Sequence, residues 1–422
     1  MSSTRRDFRA VYLIETPLDP AKVAAVLAGE QSSGTFVKVE GESDDLKARA
    51  GATVVALREL DAVATPGLPS AYLDRRGVDG PYRRAVIEVD FPVDNIGDNL
   101  GTLAATVAGN LFDLGELTGV RLLSLALPPE FARRFDLPRH GVAGTRRLLG
   151  IPRDPVLGTI IKPNIGLAPA DTGALVARLL DAGLDFIKDD EVMANPAHAP
   201  LAERVRHVMA KVDAAADRTG RRAMVAFNIT DETDAMRRNA DLVAAAGGTC
   251  VMASLNWCGL SAIQTLRRST ELAIHGHRNG FAALSRHPAL GLDFAAYQAL
   301  WRLAGVDQLH VNGLASKFAE ADDSVVAAAR DCLAPIAGND AIMPVFSSGQ
   351  WAGTVPATWA RVGSGDLMFL AGGGILGHPD GARAGVESIR EAWRAVMSGS
   401  TLAAQARSSP PLARALDFFG KA

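Results

Sequence analysis

The run Phe8-Arg-Ala-Val-Tyr-Leu-Ile-Glu-Thr16 has the apolar content of a strand, and residues 20–30 follow as a helix with Asp19 as N-cap and Pro20 in its first turn. Further strands are predicted over Gly34–Val39, Ala52–Leu57, Ala85–Phe91 and Val120–Leu127, with a second helix over 99–108. That order is the one of a ferredoxin-like α+β unit of roughly 130 residues, placed at residues 1–135. Near residue 150 the pattern changes, and short apolar runs alternate with amphipathic stretches. Strands are predicted near 156–162, 185–191, 223–229, 248–256, 272–277, 308–312, 342–347 and 367–371. Helices lie between them, for example Asp171–Asp181, Leu201–Arg218, Thr233–Ala246 and Asp293–Ala304. Eight strand–helix units over roughly 250 residues fit a (β/α)8 TIM barrel, an α/β fold, at residues 136–422. An open doubly wound sheet is the alternative. A final helix at about 380–398 closes the barrel, and the tail after Gly399 is a small cap or a flexible end.

In a barrel of this kind the chemistry sits at the C-terminal ends of the strands. The first strand ends at Lys162-Pro-Asn164 and the second at Lys188-Asp-Asp190-Glu191. The fifth ends at His275-Gly-His277-Arg278, and the sixth at His310-Val-Asn312, with Lys317 beyond it. The seventh ends at Ser347-Ser348-Gly349 and the eighth at Gly372-Gly-Gly374. Any one of these is common as a core histidine, a surface lysine or a turn glycine. Six together at one face are not readily accidental.

The second strand carries the strongest signal. In Gly183-Leu-Asp-Phe-Ile-Lys-Asp-Asp-Glu191, alternation puts Phe186, Lys188 and Asp190 on one face, with Glu191 at the exit. A buried strand end seldom holds several charges unless a cation or catalysis needs them. Asp190 and Glu191 are hard oxygen ligands suited to Mg2+. Lys188 is a donor only. It is either a countercharge, or it takes up CO2 as a carbamate and becomes an anionic oxygen ligand. Gly372 and Gly373 lie where barrels commonly bind phosphate. Lys317 could close over the same anion, and Arg278 with His310 could hold a second one. A metal beside a mobile lysine suits enolate chemistry, with Lys162 moving protons.

Bulk properties narrow the setting. The chain has 422 residues, 48% hydrophobic and 22% charged, and a net charge of −3, which gives no basic surface for nucleic acid or membrane lipid. Cys250, Cys258 and Cys332 form no metal-ligand pattern and suggest a reducing compartment. Ser3-Thr-Arg-Arg-Asp-Phe8 has the look of a twin-arginine export signal, but Glu15 and Asp19 interrupt the apolar run after it. A cytoplasmic location is expected.

Together these residues resemble the RuBisCO large-chain family, over about Ala10 to Arg394. The stretch Gly183–Glu191 is similar to the family's metal-binding and activation motif. The resemblance implies Mg2+ bound by carbamylated Lys188, Asp190 and Glu191. Ile161-Lys-Pro-Asn-Ile-Gly-Leu167 looks like its catalytic-lysine motif, with Lys162 in the acid–base position. His277 and Arg278 match its histidine–arginine pair. His310 and Lys317 match the sixth-strand histidine and the flexible-loop lysine. Ser348-Gly349 and Gly372-Gly373 match its substrate- and phosphate-binding strand ends. Gly29-Glu-Gln-Ser-Ser-Gly-Thr-Phe36 and Gly109-Asn110 look like the segments holding its active-site glutamate, threonine and asparagine, here Glu30, Thr35 and Asn110. In that family these serve the partner's barrel, so a homodimer or higher homo-oligomer with shared sites is implied.

The departures from the family's pattern bear on the reaction. Asn164 stands where carboxylating members have a second lysine, Ile160 replaces a substrate-contacting threonine, Phe36 a tryptophan and Gln350 a glycine. The sequence after His310, Val-Asn-Gly-Leu-Ala-Ser, also departs. The metal machinery is kept while the groups that recognise a bisphosphate and manage added CO2 are changed. The chain therefore resembles a RuBisCO-like protein (form IV), not a CO2-fixing RuBisCO, and within that class the group from non-photosynthetic bacteria. The best reading is decarboxylation of 3-oxo-isoapionate 4-phosphate to a tetrulose phosphate through an enediolate. The alternatives are a 2,3-diketo-5-methylthiopentyl-1-phosphate enolase or methylthioribulose-1-phosphate isomerase of methionine salvage, and a non-enzymatic role on an inherited barrel.

Overall fold

The computed structural model describes residues 6–34 and 40–421. The strand expected over Gly34–Val39 lies outside them except for Gly34, as do Thr35 and Phe36. Two compact units divide the chain. The first runs through Leu137 and also takes 280–304 and 336–338; the second holds the remainder.

In the first unit β1 (Asp7–Thr16), β2 (Thr53–Val63), β3 (Tyr82–Pro92) and β4 (Gly119–Ala126) form antiparallel pairs in the order β4-β1-β3-β2. With helices Pro20–Glu30 and Leu100–Ala108 between strands, this is the ferredoxin-like order. Phe8, Ala10, Tyr12 and Ile14 on alternate positions of β1 are buried, and the Tyr12 hydroxyl donates to the Val107 carbonyl at 2.9 Å, tying the second helix to the sheet. Asp19 caps the first helix by accepting from the Ala21 amide at 3.0 Å, and Asn99 caps the second from Thr102 at 3.0 Å.

A fifth strand was not foreseen. β10 (Leu290–Leu292) pairs in parallel with β4 at the sheet edge. The helix predicted at Asp293–Ala304 is present as Phe294–Leu303, and it packs on β4 in the first unit. Arg121 on β4 explains this. Its guanidinium pairs with Asp293 and donates to the carbonyls of Ser285, His287 and Leu290, so one side chain fixes the whole returning segment.

In the second unit β5 (Val156–Ile160), β6 (Phe186–Lys188), β7 (Met224–Asn228), β8 (Cys250–Ser254), β9 (Ala273–His277), β11 (Gln308–His310), β12 (Met343–Phe346) and β13 (Met368–Leu370) close into a parallel barrel. This is the predicted TIM barrel. Its interior is filled by residues two apart on successive strands, such as Phe186, Met224, Cys250 and Met343. Gly158 is required here: a Cβ would stand 2.8 Å from the Phe186 carbonyl oxygen and 2.5 Å from Leu370 Cδ2. The tail is ordered as helices Leu402–Ala406 and Pro410–Phe419, the latter packed on helix Gly381–Met397, and so is a cap.

Candidate active site

The charged cluster sits where β6 ends. Lys188 closes the strand and Asp190, just beyond it, meets Lys162, while Asp189 between them pairs with Arg204 at 2.9 Å; both partners of that pair are buried. Arg204 also donates to the carbonyls of Ala199, Met193 and Ala194. Removing one partner of such a pair typically costs roughly 3–5 kcal/mol. Asp189 is thus a structural anchor that fixes the direction of its neighbours.

Lys188 is 1% exposed. Its Nζ donates to the Asp189 carbonyl at 2.7 Å and lies 3.9 Å from Glu191 Oε2. Burial pushes its pKa down to about 8, with Glu191, Asp190 and Asp189 pulling the other way. Lys162, 42% exposed at the end of β5, donates to Asp190 Oδ2 at 2.8 Å and to Asn164 Oδ1 at 2.6 Å. The turn carrying the carboxylates is held by Asn228, which sequence reasoning missed. Its Nδ2 donates to the carbonyls of Asp190 and Glu191, both at 3.1 Å, and its amide to Asp189 Oδ2 at 3.0 Å. A buried asparagine ending the third strand was the available signal.

His277 joins this cluster, with Nε2 3.5 Å from Glu191 Oε2; burial pushes its pKa down to about 3, so it is neutral. Its ring packs against that of His310, the centroids 4.4 Å apart and the planes tilted by 54°. His310 faces inward to His275 and outward to Ser347, and burial holds its pKa well below the usual value. A neutral ring with both nitrogens engaged gives no cation for the second anion anticipated there. Arg278, too, is already paired, with Glu320, whose carboxylate also accepts from Asn312 Nδ2 at 2.6 Å. Glu320, three residues beyond Lys317, was not anticipated.

At the end of the seventh strand Ser347 meets His310, while Ser348 (φ 68°) and Gly349 (φ 72°), the pair expected to face substrate, form a left-handed turn. Gln350 Nε2 donates to the carbonyls of Ser348 at 2.9 Å and Leu314 at 3.0 Å, so it staples this turn to the base of the Lys317 loop. Lys317 itself is exposed, its ammonium 5.5 Å from the Phe318 ring centre. A Cβ built on Gly372 or Gly373 meets nothing within 4 Å, leaving space for an anion against bare backbone.

Two of the residues expected at a site lie in the first unit. Glu30 ends helix Pro20–Glu30, and Asn110 opens the 3-10 turn Asn110–Asp113. With its amide oriented to satisfy both ends, Gln31 accepts from the amides of Leu111 at 2.8 Å and Asn110 at 3.3 Å, which brings these two segments together. Thr35 lies outside the described residues.

Among the described residues no three His, Cys, Asp or Glu side chains gather as a ready metal set. The cluster offers two carboxylates and a buried lysine of lowered pKa. That donor set fits Mg2+ provided Lys188 supplies the third oxygen.

Two family models cover nearly the whole chain: the N-terminal domain of the ribulose bisphosphate carboxylase large chain over residues 2–131, and its catalytic domain over 141–419. The 3-oxo-isoapionate-4-phosphate transcarboxylase/hydrolase of Xanthobacter autotrophicus is 52% identical over 97% of this chain and 98% of its own. The 3-oxo-isoapionate-4-phosphate decarboxylase of Rhizobium rhizogenes is 40% identical over 97% of both chains. The crystal structure of a rubisco-like protein from Burkholderia fungorum superposes with a TM-score of 0.93 at 60% identity, over 98% of this chain and 99% of that one. The chain belongs to the ribulose bisphosphate carboxylase large-chain family, among its RuBisCO-like members.

Proposed function

We propose that this protein is a Mg2+-dependent enzyme that expels the carboxylate of 3-oxo-isoapionate 4-phosphate as CO2 and leaves an enediolate. The observation that carries the reading is Lys188, sealed from solvent beside Glu191 with its pKa lowered to about 8. A neutral amine adds CO2; an ammonium does not. Mg2+ held by Asp190, Glu191 and carbamylated Lys188 would supply the positive charge that stabilises oxygen anions of the substrate. The chain's own groups do the rest. The bond between the carboxylate carbon and the carbon beside the ketone breaks, and its electron pair moves onto the ketone oxygen. Lys162, steered by Asp190 and Asn164, delivers the proton that converts the enediolate carbon to a tetrulose phosphate. The phosphate takes the open backbone at Gly372 and Gly373, and Lys317, on the loop that approaches Gly349, closes over it.

The protein is not a CO2-fixing RuBisCO: Asn164 occupies the place of the second lysine and spends its carbonyl oxygen on Lys162. Glu30, Thr35 and Asn110 complete the site of a partner in a homodimer. Three free cysteines suit a reducing, cytoplasmic setting.

Higher identity to the transcarboxylase/hydrolase than to the decarboxylase favours a second fate for the same intermediate, in which the carboxyl is transferred and the product hydrolysed. Purified protein with Mg2+, bicarbonate and 3-oxo-isoapionate 4-phosphate separates these outcomes. Release of one CO2 per substrate with a tetrulose phosphate supports decarboxylation; substrate loss without net CO2 supports transfer and hydrolysis. No consumption, with turnover of 2,3-diketo-5-methylthiopentyl 1-phosphate instead, overturns the assignment.

A further inference from the structure

Beneath the mouth of the barrel a chain of side chains runs from the core to the site. Gln308, at the inner end, sends Nε2 toward Met224 Sδ at 3.5 Å and Thr145 Oγ1 at 3.2 Å. Its Oε1 lies 2.8 Å from His275 Nδ1. The Nε2 atoms of His275 and His310 are 2.9 Å apart, and His310 Nδ1 lies 3.1 Å from Ser347 Oγ. Gln308, His275, His310 and Ser347 are all buried.

The hydrogens along this chain follow from its inner end. A thioether sulfur accepts and never donates, so the Gln308 amide nitrogen is the end that faces Met224. The carbonyl end then faces His275, whose Nδ1 must carry hydrogen. His275 is buried and neutral, so its Nε2 is bare. Only one hydrogen fits between two Nε2 atoms at 2.9 Å, and it therefore belongs to His310. His310 is neutral as well, so its Nδ1 is an acceptor, and the hydrogen on that contact comes from the Ser347 hydroxyl. What remains of Ser347 Oγ is lone pairs.

We infer that Gln308 is a positioning residue: through His275 it fixes the tautomer of His310, so that Ser347 presents an acceptor, and no donor, to the substrate. Ser347 sits at the mouth, 7% exposed, beside the turn of Ser348 and Gly349. An acceptor there takes a substrate hydroxyl and rejects a phosphate or carboxylate oxygen, which leaves the anions to backbone amides and lysines. The preference for a hydroxyl rests on the reaction proposed above; the direction of the chain does not.

The test is nitrogen-15 NMR of histidine-labelled, unliganded protein, in which the ring shifts report the tautomer. The expected result is His275 protonated at Nδ1 and His310 at Nε2. Protonation of His310 at Nδ1 overturns the inference, and this measurement needs no variant. Gln308→Leu removes the carbonyl that sets the direction. The expected result is a mixture of tautomers at both rings and a roughly tenfold rise in KM with kcat changed less, the size expected for one misdirected hydrogen bond. Unchanged ring shifts in that variant overturn the role of Gln308. If the wild-type tautomers are as stated but 3-oxo-isoapionate 4-phosphate is not turned over, the substrate assignment falls and the chain's direction stands.

Discussion

Lys162 Nζ donates to Asp190 Oδ2 at 2.8 Å, so the residue assigned to proton transfer rests on a residue assigned to hold the metal. Asp190 is almost fully buried while the Lys162 side chain is 42% exposed, and so the lysine is the partner that can move. On the function proposed above, a cation arriving at Asp190 would compete for that oxygen and would release Lys162 toward the substrate.

The two residues should therefore separate on mutation. Asp190→Asn removes a ligand charge and should weaken Mg2+ binding by roughly a hundredfold or more, since even outer partners of metal ligands are worth 10–100-fold. Lys162→Met removes a competitor and should bind Mg2+ at least as tightly as the wild type, while turnover falls roughly 10²–10⁴-fold, the usual worth of a general acid or base. Calorimetric titration with Mg2+ reads the first effect and a turnover assay the second. Loss of Mg2+ affinity in Lys162→Met would show that the lysine shapes the metal site instead of competing with the metal.

Activation should depend on pH with a definite sign. Carbamate formation needs the neutral amine of Lys188, and that amine is neutral above its pKa of about 8. The neutral fraction rises from about a tenth at pH 7 to about nine-tenths at pH 9. Protein stripped of CO2 and Mg2+ should be inactive, and its activation rate after adding both should climb through this range. A turnover assay sampled during activation measures it. Lys188→Ala should stay inactive at every pH, and an activation rate independent of pH would argue against the carbamate.

The charged cluster was legible because Lys188, Asp190 and Glu191 follow one another at the end of a single strand. What supports them was not legible, because each supporting contact joins residues far apart in the chain. Asn228 reaches back 38 positions to the Asp190 carbonyl, and Glu320 lies 42 from Arg278. Ser347 shows the same limit, since its contact with His310 joins residues 37 positions apart. The segment around Phe294–Leu303 shows another. Its amphipathic pattern announces a buried face without saying against what, and the answer depended on Arg121, one arginine more than 160 residues earlier.

The buried histidines make a final prediction, for stability. The pKa of His275 is pushed down to about 3, and that of His310 well below its usual value, in both cases by burial first. In the unfolded chain each titrates near the ordinary value of about 6.5. Below that pH the unfolded state binds protons that the folded state refuses, so stability rises with pH over this window and is lost as pH falls. Above about 6.5 the contribution is fully present; one pH unit below, each histidine costs about 1 kcal/mol. Unfolding free energies from urea titrations at pH 7.5 and 5.5 should therefore differ by about 2–3 kcal/mol from these two residues. His275→Gln should remove one proton from the pH slope, whatever its effect on stability at neutral pH. A flat profile between the two pH values would mean that both rings accept protons inside the folded barrel. The neutral, one-directional chain from Gln308 to Ser347 would then not exist.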